Sequence, residues 1–210
     1  MRHTSRTRLP LVTVVAVTLT ALLATLAPSA QAAPVRWRDV VSRADVVKVF
    51  PALAREDLTR GVGNPSVSHP SPAGCTPTET RAKKVLWFGN NDNWAARKRG
   101  FYTALVQFRT VAEAKRLVAD VKRYVRACSH YQVRSVLTVR VRPAALPRLG
   151  DQRVAYRQVQ EWSSDPGVQR STILYVREGK RVMAMRVMLP RTVPARDIAR
   201  IARAGAAKMG

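Results

Sequence analysis

Carboxylates are scarce in this 210-residue chain: 13 Asp and Glu stand against 37 Lys and Arg, giving a formal charge of +24. Asp39, Asp45, Glu56, Asp57, Glu113, Asp120, Asp151 and Glu161 fall mostly at expected helix caps, helix faces or strand ends. They offer no clear pair for acid–base work. Cysteine is nearly absent, with Cys75 and Cys128 alone. Without CxxC spacing, and with His69 and His130 scattered, the chain lacks a tetrahedral zinc set. No glycine-rich phosphate loop occurs, and no serine carries the glycines of a nucleophile elbow. A single carboxylate, Asp92 in "GNNDNW", is too little charge for a calcium loop, so that stretch reads as a turn. No cofactor is expected. Beyond residue 32 no apolar run is long enough to cross a membrane; "VMAMRVML" is interrupted by Arg186 and suits a strand.

What is present begins with a leader. "MRHTSRTR" carries three arginines and no acid, "LPLVTVVAVTLTALLATLA" is apolar, and Ala30 and Ala32 supply the small residues of a signal-peptidase site. Residues 1–32 are therefore expected to be a secretory signal peptide cleaved after Ala32, with 33–210 a single secreted, extracytoplasmic domain. An uncleaved anchor is the alternative, opposed by Pro28 and the cleavage-like site. No cysteine lies nearby to take a lipid, and Arg6-Thr7-Arg8 is not a twin arginine. Losing the three leader arginines takes the charge from +24 to about +21. Such a field attracts polyanions, although an arginine-rich, Ala- and Val-rich composition is also what GC-rich coding yields.

In an oxidising compartment two cysteines most simply form one disulfide. Cys75 lies in "GNPSVSHPSPAGCTP" (63–77), which reads as a loop. Cys128 ends a helix opened by Thr110 and Glu113, spaced as a capping box. Ala114, Leu117, Val118, Val121, Val125 and Cys128 form its apolar stripe. The bridge would pin the loop to the buried end of the helix. Closing about 53 residues adds on the order of 4 kcal/mol in the chain-entropy model.

Elsewhere "SRADVVKVF" reads as a helix from Ser42, and "PALAREDLTRG" as a second from Pro51 to Gly61. Strands are expected at 83–89 and at 101–109, the latter with Tyr102, Ala104, Val106 and Phe108 on one face. Further strands are expected at 132–142, 152–162, 168–177 and 180–189, and a closing helix from Pro194. "SSDPG" and "EGK" are short enough for hairpin turns. The fold class is α+β: an antiparallel β-sheet of about five to six strands, helices mainly on one face, and one disulfide.

Several segments together resemble the PknH-like extracellular sensor domains of actinobacteria. They are "PAGCTP", "FYTALVQFRTVAEAKRLV", "RACSHY", "RLGDQRVAY" and "LYVREGKRVMAMRV", spanning roughly 40–208. The resemblance implies an antiparallel sheet flanked by helices, with a cleft for an unidentified ligand. The kinase version of the family is expected to carry two disulfides, a membrane-crossing linker and a kinase domain; here the cysteines suffice for one bridge, and neither of the other parts is expected, so signalling in cis is not implied. The family supplies no agreed ligand residues to carry over.

Binding is the function the residues favour. Arg134, Arg140 and Arg142 sit on the polar face of one expected strand, and Arg153, Arg157, Arg170 and Arg186 on the following meander. Arginine forks match phosphate and carboxylate oxygens in two-point contacts. Tyr156 and Trp162 could pack beside such a ligand. The expected partner is an extracellular ligand, an anionic lipid or wall polymer, met through this arginine-rich face or a cleft. The bland alternative is that the arginines only solvate an open sheet face. No motif for sequence-specific nucleic-acid binding is present. The rival function is a secreted cell-wall hydrolase using His69 or His130 as base; a third is service as a partner for another envelope protein.

Overall fold

Alternating and continuous apolar segments assemble a broad antiparallel sheet in the computed structural model, which describes residues 33–90, 99–164 and 167–210. The strands are β1 (Thr59–Val62), β2 (Ser66–Pro70), β3 (Pro77–Arg81), β4 (Lys84–Gly89), β5 (Gly100–Gln107), β6 (His130–Val133), β7 (Leu137–Pro143), β8 (Gln152–Trp162), β9 (Val168–Glu178) and β10 (Arg181–Met188). Eight of these form one sheet in the order β1-β4-β5-β10-β9-β8-β7-β6, and β2 and β3 form a separate hairpin. Helices α1 (Arg43–Val49), α2 (Val111–Ala127) and α3 (Ala195–Met209) complete the described fold. None is long and apolar enough to cross a membrane.

The α+β class and the disulfide agree with expectation, whereas the strand number does not: the main sheet has eight strands rather than five or six. Of three local departures, two account for the difference, and the one at β2 adds the separate hairpin instead. The helix expected from Pro51 to Gly61 stops as a single 3₁₀ turn at Pro51–Leu53, and Thr59–Val62 pairs with β4 instead. The expected loop at 63–77 contains β2, whose Ser66–Pro70 pairs residue by residue with β3. The expected strand at 132–142 is two strands, β6 and β7, folded about a turn where Arg134 and Ser135 adopt φ of 49° and 57°. These edge and hairpin strands carry Pro, Ser, Gly and Arg, so cross-strand hydrogen bonding rather than apolar alternation defines them.

The helices were expected on one face and occupy both. Alternate residues of the central strands enter two separate cores. Leu86, Leu105, Leu174, Val176, Met183, Met185 and Val187 face α1 and α3. Val85, Ala104, Val106, Val139, Val141, Tyr156, Ile173, Tyr175 and Val182 face α2. The physical cause is visible in β9, where 171–177 is buried without interruption, the pattern of a strand covered on both sides.

Helix α2 forms as its sequence dictates. Thr110 Oγ1 accepts from the Glu113 amide at 3.1 Å, and the Glu113 carboxylate accepts from the Thr110 amide at 3.0 Å. Its stripe from Ala114 to Val125 is buried. Cys128 caps its C-terminus and is bonded to Cys75, in the short turn that joins β2 to β3. The bridge thus fastens a hairpin, not an irregular loop, to the end of α2. Helix α3 starts at Pro194 without a side-chain cap and lies close on the sheet at Gly205, where any Cβ would overlap the Met183 side chain. Lys208 Nζ reaches Asp45 Oδ2 at 2.8 Å, tying α3 to α1.

Candidate ligand-binding cleft

The face that carries α2 is only partly covered by it. Helix α2 packs on β7, β8, β9 and β10 and on the hairpin strand β2. Beside it, a cavity of about 600 Å³ opens between β2 and the sheet. Asn64, Ser66, Val67 and Ser68 line its hairpin side, and Trp87, Tyr102, Tyr156, Tyr175 and Arg186 line its sheet side. The register explains the convergence. Tyr156 lies opposite Ile173, and Ile173 opposite Arg186, which lies opposite Tyr102. These side chains form a row across four strands, all on one face.

Glycine shapes the wall next to Trp87. Gly61 on β1 is its cross-strand partner, and a Cβ there would lie 2.5 Å from the indole ring. The absence of that carbon lets Trp87 lie against β1, with its ring stacked on Tyr102 at a centroid distance of 6.3 Å and 18° between planes. All five tyrosines of the chain belong to this side of the sheet. Tyr124 of α2 meets Tyr156 edge-on at 5.7 Å and shares a hydroxyl hydrogen bond of 2.9 Å with Tyr131.

The electrostatics of the cleft pair one cation with neutral phenols. Arg186 Nη2 donates to Gln160 Oε1 at 3.1 Å and to Gln169 Oε1 at 2.9 Å, which fixes the plane of the guanidinium. Burial lowers its pKa, while the nearby Tyr156 and Tyr175 phenols work in the opposite direction. The guanidinium is so strong a base that it remains cationic at neutral pH. Burial pushes the Tyr156 phenol well up, and neighbouring Tyr175 and Tyr124 add to the effect. Burial likewise raises Tyr175, which Tyr156 and Arg186 partly offset. Both phenols therefore keep their protons and can donate. A fixed fork, phenolic donors and an aromatic wall are the chemistry for gripping an anionic group joined to an apolar or planar body.

Of the eight expected ligand residues, the cleft unites two, Tyr156 and Arg186. Arg140 and Arg142 alternate with the inward Val139 and Val141; Arg153 and Arg157 flank Ala155, and Arg170 has the parity of Leu174. All five therefore belong to the α1/α3 side of the sheet. Arg140 forks onto Glu161 through two hydrogen bonds of 3.1 Å, and Arg153 Nε donates to the Leu146 carbonyl at 3.4 Å. Arg134 sits in the β6–β7 turn. Trp162 ends β8 and is not among the cleft residues. Sequence reasoning missed Trp87, Tyr102 and Tyr175 as cleft residues. The parity of Tyr102 with Ala104 and Val106 was visible, but the meeting of the β4–β5 pair with β10, β9 and β8 was not.

The histidines lie elsewhere. His69, expected in a loop, is on β2 and 2% exposed, with Nδ1 3.2 Å from the Pro70 carbonyl and Nε2 2.9 Å from Thr80 Oγ1. It is a hydrogen-bonded structural residue. His130 is exposed at the start of β6, and neither histidine lines the cleft. Among the described residues no three His, Cys, Asp or Glu side chains gather as metal ligands. Asp92 and most of the expected "NNDN" turn lie outside the described residues.

No family model matches the sequence. No curated protein matches it either. Among solved structures, the chain is similar to the extracellular domain of PknH from Mycobacterium tuberculosis, with a TM-score of 0.49 and 11% identity over 81% of this chain and 90% of that one.

Proposed function

We propose that this chain is an exported, non-enzymatic, sensor-like domain that binds a small amphiphilic anion in the cleft between β2 and the sheet. The observation that carries the reading is Arg186, held by two glutamine carbonyls in a 600 Å³ cavity beside protonated tyrosines and a stacked Trp87–Tyr102 pair. The ligand's carboxylate or phosphate meets the guanidinium and phenols; its apolar part lies along the rings. Export is the second half of the proposal. It rests on the leader pattern of residues 1–32, with cleavage after Ala32, and on the Cys75–Cys128 bridge, a bond that persists outside the reducing cytosol. Membership of the PknH-like sensor family belongs to the same proposal and rests on the segments from "PAGCTP" to "LYVREGKRVMAMRV".

The test is native mass spectrometry of the protein purified from an exporting host, followed by thermal-shift titration with fatty acids, isoprenoid phosphates and aryl carboxylates. A bound anion whose affinity falls about tenfold or more in R186Q supports the reading. Binding indifferent to R186Q, or turnover of a wall fragment that H130A abolishes, would overturn it, the second in favour of the hydrolase.

A further inference from the structure

The face opposite the cleft carries a second charged surface, built by register rather than by burial. On the α1/α3 side, helix α3 packs on β9 and β10. Further along the same face, over β7 and β8, the outward residues are Arg140, Arg142 and Arg157, with Arg170 on neighbouring β9. All four are exposed. Arg142 is the direct cross-strand partner of Arg157, and Arg140 and Arg170 flank Val159 from its two sides. Strands lie about 4.8 Å apart and same-face residues about 6.7 Å apart along a strand, so the four guanidinium stems rise from a patch about one nanometre across. Arg191, after β10, joins Arg157 and Arg170 around a shallow hollow of about 70 Å³ that also includes Val193.

Opposite charge is sparse there. Glu161 neutralises Arg140, and among the described residues no salt bridge reaches Arg142, Arg157, Arg170 or Arg191. A directly opposed like-charge pair such as Arg142–Arg157 is destabilising by itself, and a layer of anions relieves it. The array is two-dimensional, spread over three strands and a loop on an open sheet. A linear polymer is gripped by a groove; a field of arginines on an open surface complements a field of phosphates. We propose that this face docks the domain on the surface of an anionic phospholipid bilayer, leaving the α2 side and its cleft turned away from the lipid. Each arginine near an anionic leaflet adds a comparable increment of attraction, screened within a Debye length of about 8–10 Å.

The experiment is co-sedimentation of residues 33–210, disulfide intact, with vesicles of phosphatidylcholine alone and of phosphatidylcholine mixed equally with phosphatidylglycerol. Partitioning onto the mixed vesicles alone, weakening as salt rises, is expected. R142Q/R157Q/R170Q/R191Q should lower it at least about a hundredfold. R109Q/K115Q/R116Q/R126Q removes the same charge from around α2 and should retain most of it. R191Q lies outside every strand; its smaller loss guards against misreading an unfolded sheet variant. Equal losses in the two quadruple variants, or no partitioning in about 0.1 M salt, would overturn the proposal. So would soluble polyphosphate stripping the protein from vesicles at matched phosphate, which would assign the face to a free polymer.

Discussion

The two faces of the sheet use the same strands for opposite ends. Toward α1 and α3, side chains such as Leu174, Val176, Met185 and Val187 close into a dry core with 1% exposure or less. Toward α2, the same strands present Tyr102, Tyr156, Tyr175 and Arg186, and the covering helix leaves a cavity uncovered. The difference shows where this fold concentrates its packing and where it retains polar groups. Apolar burial at about 25 cal/mol per Å² favours the first face. On the second, each retained polar group needs a partner or a ligand.

Removing the bridge should have the largest effect on this contrast. The Cys75→Ser/Cys128→Ser variant loses closure of a 53-residue separation, on the order of 4 kcal/mol in the chain-entropy model. Because the bridge holds the hairpin that forms one wall of the cleft, limited proteolysis should cut within 66–81 before the central sheet opens. Simultaneous loss of both faces would break the comparison.

Next is Leu174→Ala, at a fully buried site on the α1/α3 face. A loss of about 2–5 kcal/mol is expected in urea unfolding, with ligand affinity per folded molecule unchanged. Gly61→Val sharpens the other side. Its side chain would press on the Trp87 ring, for an overpacking cost of about 1–3 kcal/mol and a shifted tryptophan emission spectrum. An unchanged spectrum would place the indole elsewhere.

The smallest effects are acid-linked, and they separate the faces by pH. Burial lowers the His69 pKa, opposed only in part by the Pro70 carbonyl and Asp120. Below its unfolded value of about 6.5 the unfolded chain binds a proton that the folded imidazole resists, so the hairpin side loses stability as pH falls. At Asp45 burial acts upward, yet Lys208 and the Ser42 donors outweigh it and hold the carboxyl below its usual value. That contribution is present above about pH 4 and is lost only as pH falls through the folded pKa. Urea midpoints should therefore drop from neutral pH toward about pH 5 in the wild type, less so in His69→Gln. Asp45→Asn should leave that slope intact and cost at most about 1 kcal/mol, the pair being partly exposed.

How much was legible depended on how local the physics is. The Thr110–Glu113 box, the α2 stripe and the three long strands of the meander are encoded within a few residues of themselves. β1, β2 and β3 are not. Thr59–Val62 has no apolar alternation, and it is a strand because β4 lies beside it. The candidate arginines were legible as a type but not as a site. Tyr156 and Arg157 are neighbours in sequence and emerge on opposite faces, so residues that look like one cluster are two.

Composition, charge, cysteine count, the α2 helix and the period of the long strands were determined by the sequence itself, because they depend on residue identity and spacings of two to four. Which strands became neighbours, which parity faced which helix, and that Tyr102, Arg186 and Tyr156 meet in one row were decided only in three dimensions. Strand order and register join residues many positions apart, and a shift of one residue would turn each of those side chains to the other face.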